Sequence, residues 1–276
     1  MFILVSLGGC GGGKQTSPGT LETTSSGAEA FVGLFGDNAL AIVDVDAGRV
    51  LATVPVVAPD GIAVTPDGAK VYVSSNGSGV VAVVDPVART VVKSIAVGMQ
   101  PAGLSVTPDG KYVVAAVQGD GEAVVIDTSD DSVLARAAVG KAHTSLVNAD
   151  GTLAFVASQA TDAPAVAIVD VPSATLGASF ALEAAPRALA ELHGVLFATL
   201  TGSADVAVLD AASGKRTGSV TTGGSPHDVR PTVDGSAILT VSQTAGELEF
   251  IDPAALSLVG SVPTGTEPHW IALTPD

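Results

Sequence analysis

Apolar residues along this chain come in short runs. Six of these runs close on an aspartate at a nearly constant interval: AIVD at Asp44, AVVD at Asp85, VVID at Asp127, AIVD at Asp170, AVLD at Asp210 and EFID at Asp252. The gaps are 41, 42, 43, 40 and 42 residues. A fixed period in this range predicts one supersecondary unit stacked repeatedly, each copy burying its apolar faces against its neighbours.

The clearest unit runs from Asp60 to Gly98 and divides into four apolar stretches with turn chemistry between them. Ile62–Thr65 ends at Pro66-Asp67-Gly68, Val71–Ser74 at Asn76-Gly77, Val80–Val84 at Asp85-Pro86, and Thr90–Val97 at Gly98. Asp-Gly and Asn-Gly supply the positive φ of tight hairpins, and Asp with Pro starts turns. Four short strands per period of about 42 residues predict an all-β fold, one propeller blade per repeat. The closing aspartates then read as turn formers that accept backbone N–H bonds.

The residues TPDG…VYVSSNG…VAVVD of this unit, and LSVTPDGKYVVAAVQGDGEAVVID at Leu104–Asp127, resemble the YVTN-type (YncE-like) β-propeller repeat of bacterial and archaeal surface and periplasmic proteins. The resemblance spans about nine-tenths of the chain on the repeat period. Other units drift: NADG at Asn148–Gly151, ELHG at Glu191–Gly194, TVDG at Thr232–Gly235, and a final TPD at Asp276. The strand count favours six blades. Seven, with one blade absent, is the alternative that relatives suggest. The folded part, residues 29–276, begins with the second strand of a blade, Ala30–Phe35, and ends with a first strand, Ile271–Thr274. The expectation is therefore a ring closed by N-terminal second, third and fourth strands and a C-terminal first strand, a closure that hides strand edges.

Composition narrows the rest. Aromatics are 4% of residues, so the core must be packed from Val, Ala, Ile and Leu. Twelve Lys and Arg stand against 28 Asp and Glu, a net charge of −16 with no basic stripe, which excludes the electrostatic footprint of a nucleic-acid binder. Cys10 is the only cysteine, so no intrachain disulfide forms, and zinc-knuckle, thioredoxin-like and c-type haem motifs are excluded.

Residues 1–10 read as a lipoprotein signal-like segment. Apolar Phe2–Leu7 runs into Leu7-Gly8-Gly9-Cys10, which resembles a bacterial lipobox, although no Lys or Arg precedes Cys10. In that family the cysteine is lipidated. Residues 11–28 are rich in Gly, Ser and Thr and read as a flexible tether. Gly and not Asp follows Cys10, which by resemblance to Gram-negative lipoproteins fits the outer membrane. The expectation is a lipid-anchored protein of the bacterial cell envelope, outer-membrane, periplasmic or at the cell surface.

Three of the four histidines share one repeat position. His143, His227 and His269 each stand seven residues before the aspartate of the first turn, Asp150, Asp234 and Asp276. The same position holds Asp60 and Ala102 in other repeats, and alignment on Pro186 gives it to Arg187. The position opens the innermost strand, so equivalent residues converge on the propeller axis at one face. His227, His269, His143 and Asp60 are donors suited to a divalent or copper ion, and related propellers place His-based metal sites near their axis. No other cofactor is expected. The plainer reading has the imidazoles bridging blades by hydrogen bonds, since counting by two from this position lands on Ile62/Val64 and Ile271/Leu273, the set expected to pack between blades. Trp270, the only tryptophan, either stacks on a ligand or seals the closing blade; its solitude excludes a quinone-cofactor propeller, whose blades carry a recurring Trp. His193 sits in a turn.

No GxSxG elbow, GxGxxG or complete Walker loop occurs. The expected function is a binding and interaction scaffold presenting Asp60, His143, Arg187, His227, His269 and Trp270 to a protein, glycan or small ligand. The alternative, by family analogy alone, is a metal-dependent, lactonase-like or oxidoreductase-like enzyme using the same ring.

Overall fold

A computed structural model describes the backbone of residues 2–7 and all of residues 27–273. Cys10, residues 11–26 of the expected tether, and Thr274–Asp276 lie outside the described residues. Six four-stranded sheets follow one another along the chain, so the expected six-bladed propeller is the observed architecture.

Within each blade the second strand is the most deeply buried. Val71–Ser75 is buried at every position, and Val113–Val117, Ala154–Ser158 and Leu196–Leu200 likewise. A strand covered on both faces must be apolar on both, which is why these segments read as unbroken runs and not as alternation. Outer strands such as Thr90–Ala96 and Ser257–Pro263 are exposed almost throughout.

Packing is between neighbouring blades. Phe31, Leu40 and Ile42 of the first blade meet Ile62, Val71 and Val73 of the second. Tyr72, Val81 and Val83 meet Val113, Ala115 and Val124 of the third. The same pairing carries on through Val114 with Val156, Phe155 with Leu196, and Phe197 with Ile238. Small β-branched and alanine side chains suffice because each sheet is sandwiched between two others.

The closing aspartates act as turn formers. Asp85 Oδ1 accepts the N–H groups of Val87 and Ala88 at 2.8 Å each, and Asp252 Oδ1 those of Ala254 and Ala255 at 2.8 and 2.9 Å. Asp44, Asp127, Asp170 and Asp210 cap their turns in the same way.

Ring closure departs from the expectation of a C-terminal first strand. The strand beside Glu29–Leu34 is Phe2–Leu7, parallel and in register from Phe2↔Glu29 to Leu7↔Leu34. A strand edge takes one ladder partner. The C-terminal segment therefore makes no ladder and acts as a wedge between the last and first blades. Ile271 packs on Leu239 and Val241, while Ala272 packs on Ala30, Val32 and Ala41. Asp228, which is 1% exposed, holds the wedge by accepting the Ile271 N–H at 2.9 Å.

Candidate functional site

The five inner strands from Pro59–Val64 onward share one irregularity. In Pro59–Val64 the ladder passes from Pro59↔Ser75 to Ile62↔Val73, three steps on the inner strand against two on its partner. Pro101–Val106, Pro186–Leu192 and Pro226–Pro231 repeat the slip, and Ala142–Val147 makes it as two steps against one. Each is a β-bulge, and each falls at the repeat position singled out in the sequence. A bulge breaks strict alternation and re-aims the extra side chain. By alternation Asp60 would share a face with Ile62, which is buried between blades; the bulge lets Asp60 line the axial cavity instead.

A bulge also leaves backbone groups unpaired, and hydroxyls on the next strand satisfy them. Ser74 Oγ accepts the Gly61 N–H at 2.7 Å and donates to the Gly61 carbonyl at 3.2 Å. Thr199 Oγ1 accepts the Ala188 N–H at 2.9 Å, and Thr240 Oγ1 donates to the Asp228 carbonyl at 2.7 Å. Bulges of adjacent blades touch. A Cβ on Gly61 would overlap the Ala102 carbonyl, and one on Gly103 would meet the Thr144 backbone, so glycine is what fits there.

The bulges bring Asp60, His143, Arg187 and His227 to one cavity of about 270 Å3, where the C-terminal segment adds His269 and Trp270, and Phe35 joins them. Ala102, the remaining ring position, is buried and contributes no side chain to it. His193 is exposed in its turn. Phe35 could not be read from the repeat, because it follows the second strand of the first blade and has no counterpart. Asp228 lay in plain view beside His227, but nothing marked it as the anchor of the C-terminal segment.

Two of the imidazoles are fixed by the blade ahead of them. His227 Nδ1 lies 2.8 Å from the His269 carbonyl oxygen, and His143 Nδ1 lies 3.3 Å from that of Arg187. A carbonyl only accepts, so in His227 Nδ1 carries the proton and Nε2 keeps a lone pair; His143 Nδ1 also has the Thr144 hydroxyl at 3.0 Å. His227 is 1% exposed, and its Nε2 has no hydrogen-bond partner in the protein. Its ring packs on His269 at 4.2 Å and edge-on to Trp270 at 5.4 Å between centroids. His269 itself bonds through Nδ1 to the Glu267 carbonyl at 2.9 Å.

The charges are equally unmatched. Arg187 Nε is buried without a partner, and no hydrogen bond or ion pair engages either the Arg187 guanidinium or the Asp60 carboxylate among the described residues. Burial raises Asp60 to about 6, against the opposing pull of Arg187 and His269. Burial, with Arg187 adding to it, lowers His143 to about 4 and His227 to about 3. Burial also lowers Arg187, partly offset by Asp60. At neutral pH the cavity thus holds one cation and one anion, with His143 and His227 neutral.

A second cavity of about 260 Å3 adjoins the first, sharing Asp60 and Trp270. It is the axial channel, walled by Val64, Leu104, Val106, Leu189 and Ile271 together with Ser105, Ser145 and Arg230. Among the described residues no three His, Cys, Asp or Glu side chains gather closely enough to hold a metal ion. The metal set expected from the sequence, His227, His269, His143 and Asp60, shares the cavity without forming a coordination cluster.

Solved structures show the same architecture at low identity. Hydrazine synthase of Kuenenia stuttgartiensis superposes with a TM-score of 0.76 at 20% identity, covering 86% of this chain and 84% of that one. Dihydro-heme d1 dehydrogenase NirN in complex with DHE superposes with a TM-score of 0.60 at 19% identity, covering 84% of this chain and 63% of that one. At such identities the likeness is one of fold alone. No curated protein matches the chain. The model of one family matches residues 14–276, nearly the whole repeat region and the entire bulged ring, so the chain belongs to the YNCE-like β-propeller family.

Proposed function

We propose that this protein is a cell-envelope binding protein, anchored through Cys10, whose axial cavity receives a small ligand or a projecting group of a larger partner. One observation carries the reading. Three buried or half-buried polar groups in one cavity, Arg187 Nε, His227 Nε2 and the Asp60 carboxylate, have no protein partner, whereas the neighbouring bulge backbone is supplied with hydroxyl partners. Leaving a buried polar group unmatched costs about 1–3 kcal/mol, so two such atoms beside an unpaired carboxylate are better explained by something that visits than by scaffolding. The lipobox-like Leu7-Gly8-Gly9-Cys10 and the polar stretch behind it support the anchor; cleavage before Cys10 would remove Phe2–Leu7 and free the edge of Glu29–Leu34 for the C-terminal segment.

Trp270 makes the test direct. As the only indole, it reports on the cavity it lines. Titration of the purified chain with a low-molecular-weight envelope extract is expected to change Trp270 emission saturably, and an Arg187→Gln/His227→Gln pair to abolish the change. An identical response from that variant rules out axial binding. Incorporation of a labelled fatty acid, lost in Cys10→Ser, tests the anchor.

A metal reading has one supporting feature, that His227 gives Nδ1–H to a carbonyl and leaves Nε2 free, the arrangement metal-binding histidines use. Metal analysis of the purified protein and of a His227→Ala/His269→Ala pair tests it. An enzymatic role has less support. Thr144 Oγ1 lies 3.0 Å from His143 Nδ1, but among the described residues no carboxylate orients that imidazole as a general base needs, its other Nδ1 neighbour being the Arg187 carbonyl at 3.3 Å.

A further inference from the structure

Resting on the axial cavity being a binding site, the unmatched atoms also specify what would fill it. Arg187 offers a buried Nε–H donor and a positive charge. Asp60 offers a carboxylate, and His227 Nε2 offers a buried lone pair. Donors and acceptors stand on the same cavity wall yet make no bond to each other, although Arg187 and Asp60 feel each other's charge. A simple anion would satisfy Arg187 and leave Asp60 and His227 unmatched. A simple cation would do the reverse. Only a molecule with an acceptor group and a donor group of opposite charge answers all three, and it does so with no net charge brought into a partly desolvated space.

The second cavity says what the rest of the molecule looks like. The apolar channel opens beside Asp60 and Trp270, so a ligand whose polar end lies in the ring has an apolar path leading away from it. Val64, Leu104, Val106 and Leu189 give that path an apolar stretch, with Ser105, Ser145 and Arg230 also on its wall.

We propose that the axial site recognises a small zwitterion of the α-amino-acid type with an apolar side chain. Its carboxylate lies on the Arg187 guanidinium, its ammonium on the Asp60 carboxylate and His227 Nε2, and its side chain passes Trp270 into the channel. The imidazole serves as an acceptor here because its Nδ1 proton is held by the His269 carbonyl.

The full chain titrated with leucine, 4-methylpentanoate, 3-methylbutylamine and glycine, followed by calorimetry and Trp270 emission, tests this. Leucine is expected to bind at least about ten-fold tighter than either single-charge analogue, since each analogue forfeits a charge-assisted hydrogen bond, and tighter than glycine, which leaves the channel empty. Arg187→Gln is expected to bring leucine down to the level of the amine, and Asp60→Asn to the level of 4-methylpentanoate. The analogue comparison needs no variant, so a misfolded substitution leaves the proposal falsifiable. If leucine binds no better than both analogues, or if an envelope extract perturbs Trp270 while leucine does not, zwitterion recognition is overturned and axial binding stands. If neither the four compounds nor the extract perturbs Trp270, axial binding itself falls.

Discussion

His227 gives its Nδ1 proton to the backbone carbonyl of His269 at 2.8 Å, and so ties the last regular blade to the segment that wedges it against the first. His143 Nδ1 likewise faces the Arg187 carbonyl, at 3.3 Å. One repeat position thus does two things at once. Through Nδ1 it links blades, and through Nε2 it faces the axis. The bridging and site readings of these histidines are not exclusive, because an imidazole has two nitrogens.

Asp228 completes the same joint from below. Its carboxylate accepts the N–H groups of Val229 and Ile271 at 2.9 Å each and pairs with Arg230 Nε at 3.3 Å. Asp228→Ala is expected to cost about 2–3 kcal/mol, since buried donors lose a charged acceptor. Amide exchange should accelerate most at Ile271 and its neighbours. Exchange that rises uniformly along the chain would contradict this local role.

The bulges require glycine where they touch. Gly61→Ala forces a Cβ into the Ala102 carbonyl, which is backbone and cannot swing aside. The expected loss is about 1–3 kcal/mol or more in denaturant unfolding. Gly260→Ala, on the exposed last strand with open space around it, serves as the control and should be neutral or slightly stabilising.

Stability should depend on pH through the ring. His143 and His227 are held at about 4 and about 3, below the ordinary 6.5, by burial and by Arg187, with Lys141 acting on the first and His269 on the second. The unfolded chain binds protons these rings refuse, so their contribution is present above 6.5 and is lost as pH falls through about 4. Asp60, raised to about 6 by burial against Arg187 and His269, acts in the opposite sense. The native state keeps a proton that the unfolded chain has released, so stability falls as pH rises from about 4 to about 6. Two imidazoles outweigh one carboxylate, and a net rise across pH 4 to 6.5 is expected. His227→Gln should flatten that rise. Asp60→Asn should steepen it and, at pH 7, stabilise by on the order of 1 kcal/mol.

Away from the axis, Tyr72 of the second blade joins the turn of the third. Its hydroxyl donates to Asp131 at 2.5 Å, and Lys70 Nζ pairs with the same carboxylate at 2.8 Å. Tyr72→Phe keeps the packing and removes one bond to a charged acceptor. Thermal unfolding should report a loss of about 1–2 kcal/mol without any change in ligand response at Trp270.

Much of this was legible before the fold was seen, and the reasons are particular. The Asp85 and Asp252 turns are local, set by a side chain and the two or three residues after it, so sequence spacing predicts them. The alignment of Asp60, His143, Arg187, His227 and His269 was equally readable, because a repeat places equivalent positions at equivalent points of a ring. Phe35 and Asp228 were not, since neither recurs. The closing strand of the unprocessed chain differs from the expected one for a related reason. Ile271–Thr274 fits the pattern of a first strand, but Phe2–Leu7 holds the edge it would need, and which of two segments holds an edge is a long-range outcome that periodicity does not encode.

By itself the sequence determined the repeat, its turns and the identity of the variable axial position, all set within about 42 residues; it favoured six blades over seven without fixing the number. Only the tertiary structure decided where that position points. Strict alternation sends Asp60 and its equivalents into the joints between blades with Ile62. A one-residue bulge, held by Ser74 in one blade and Thr199 in another, turns them to the axis. The physical reason is that a bulge exists only when a partner strand fixes the register it breaks.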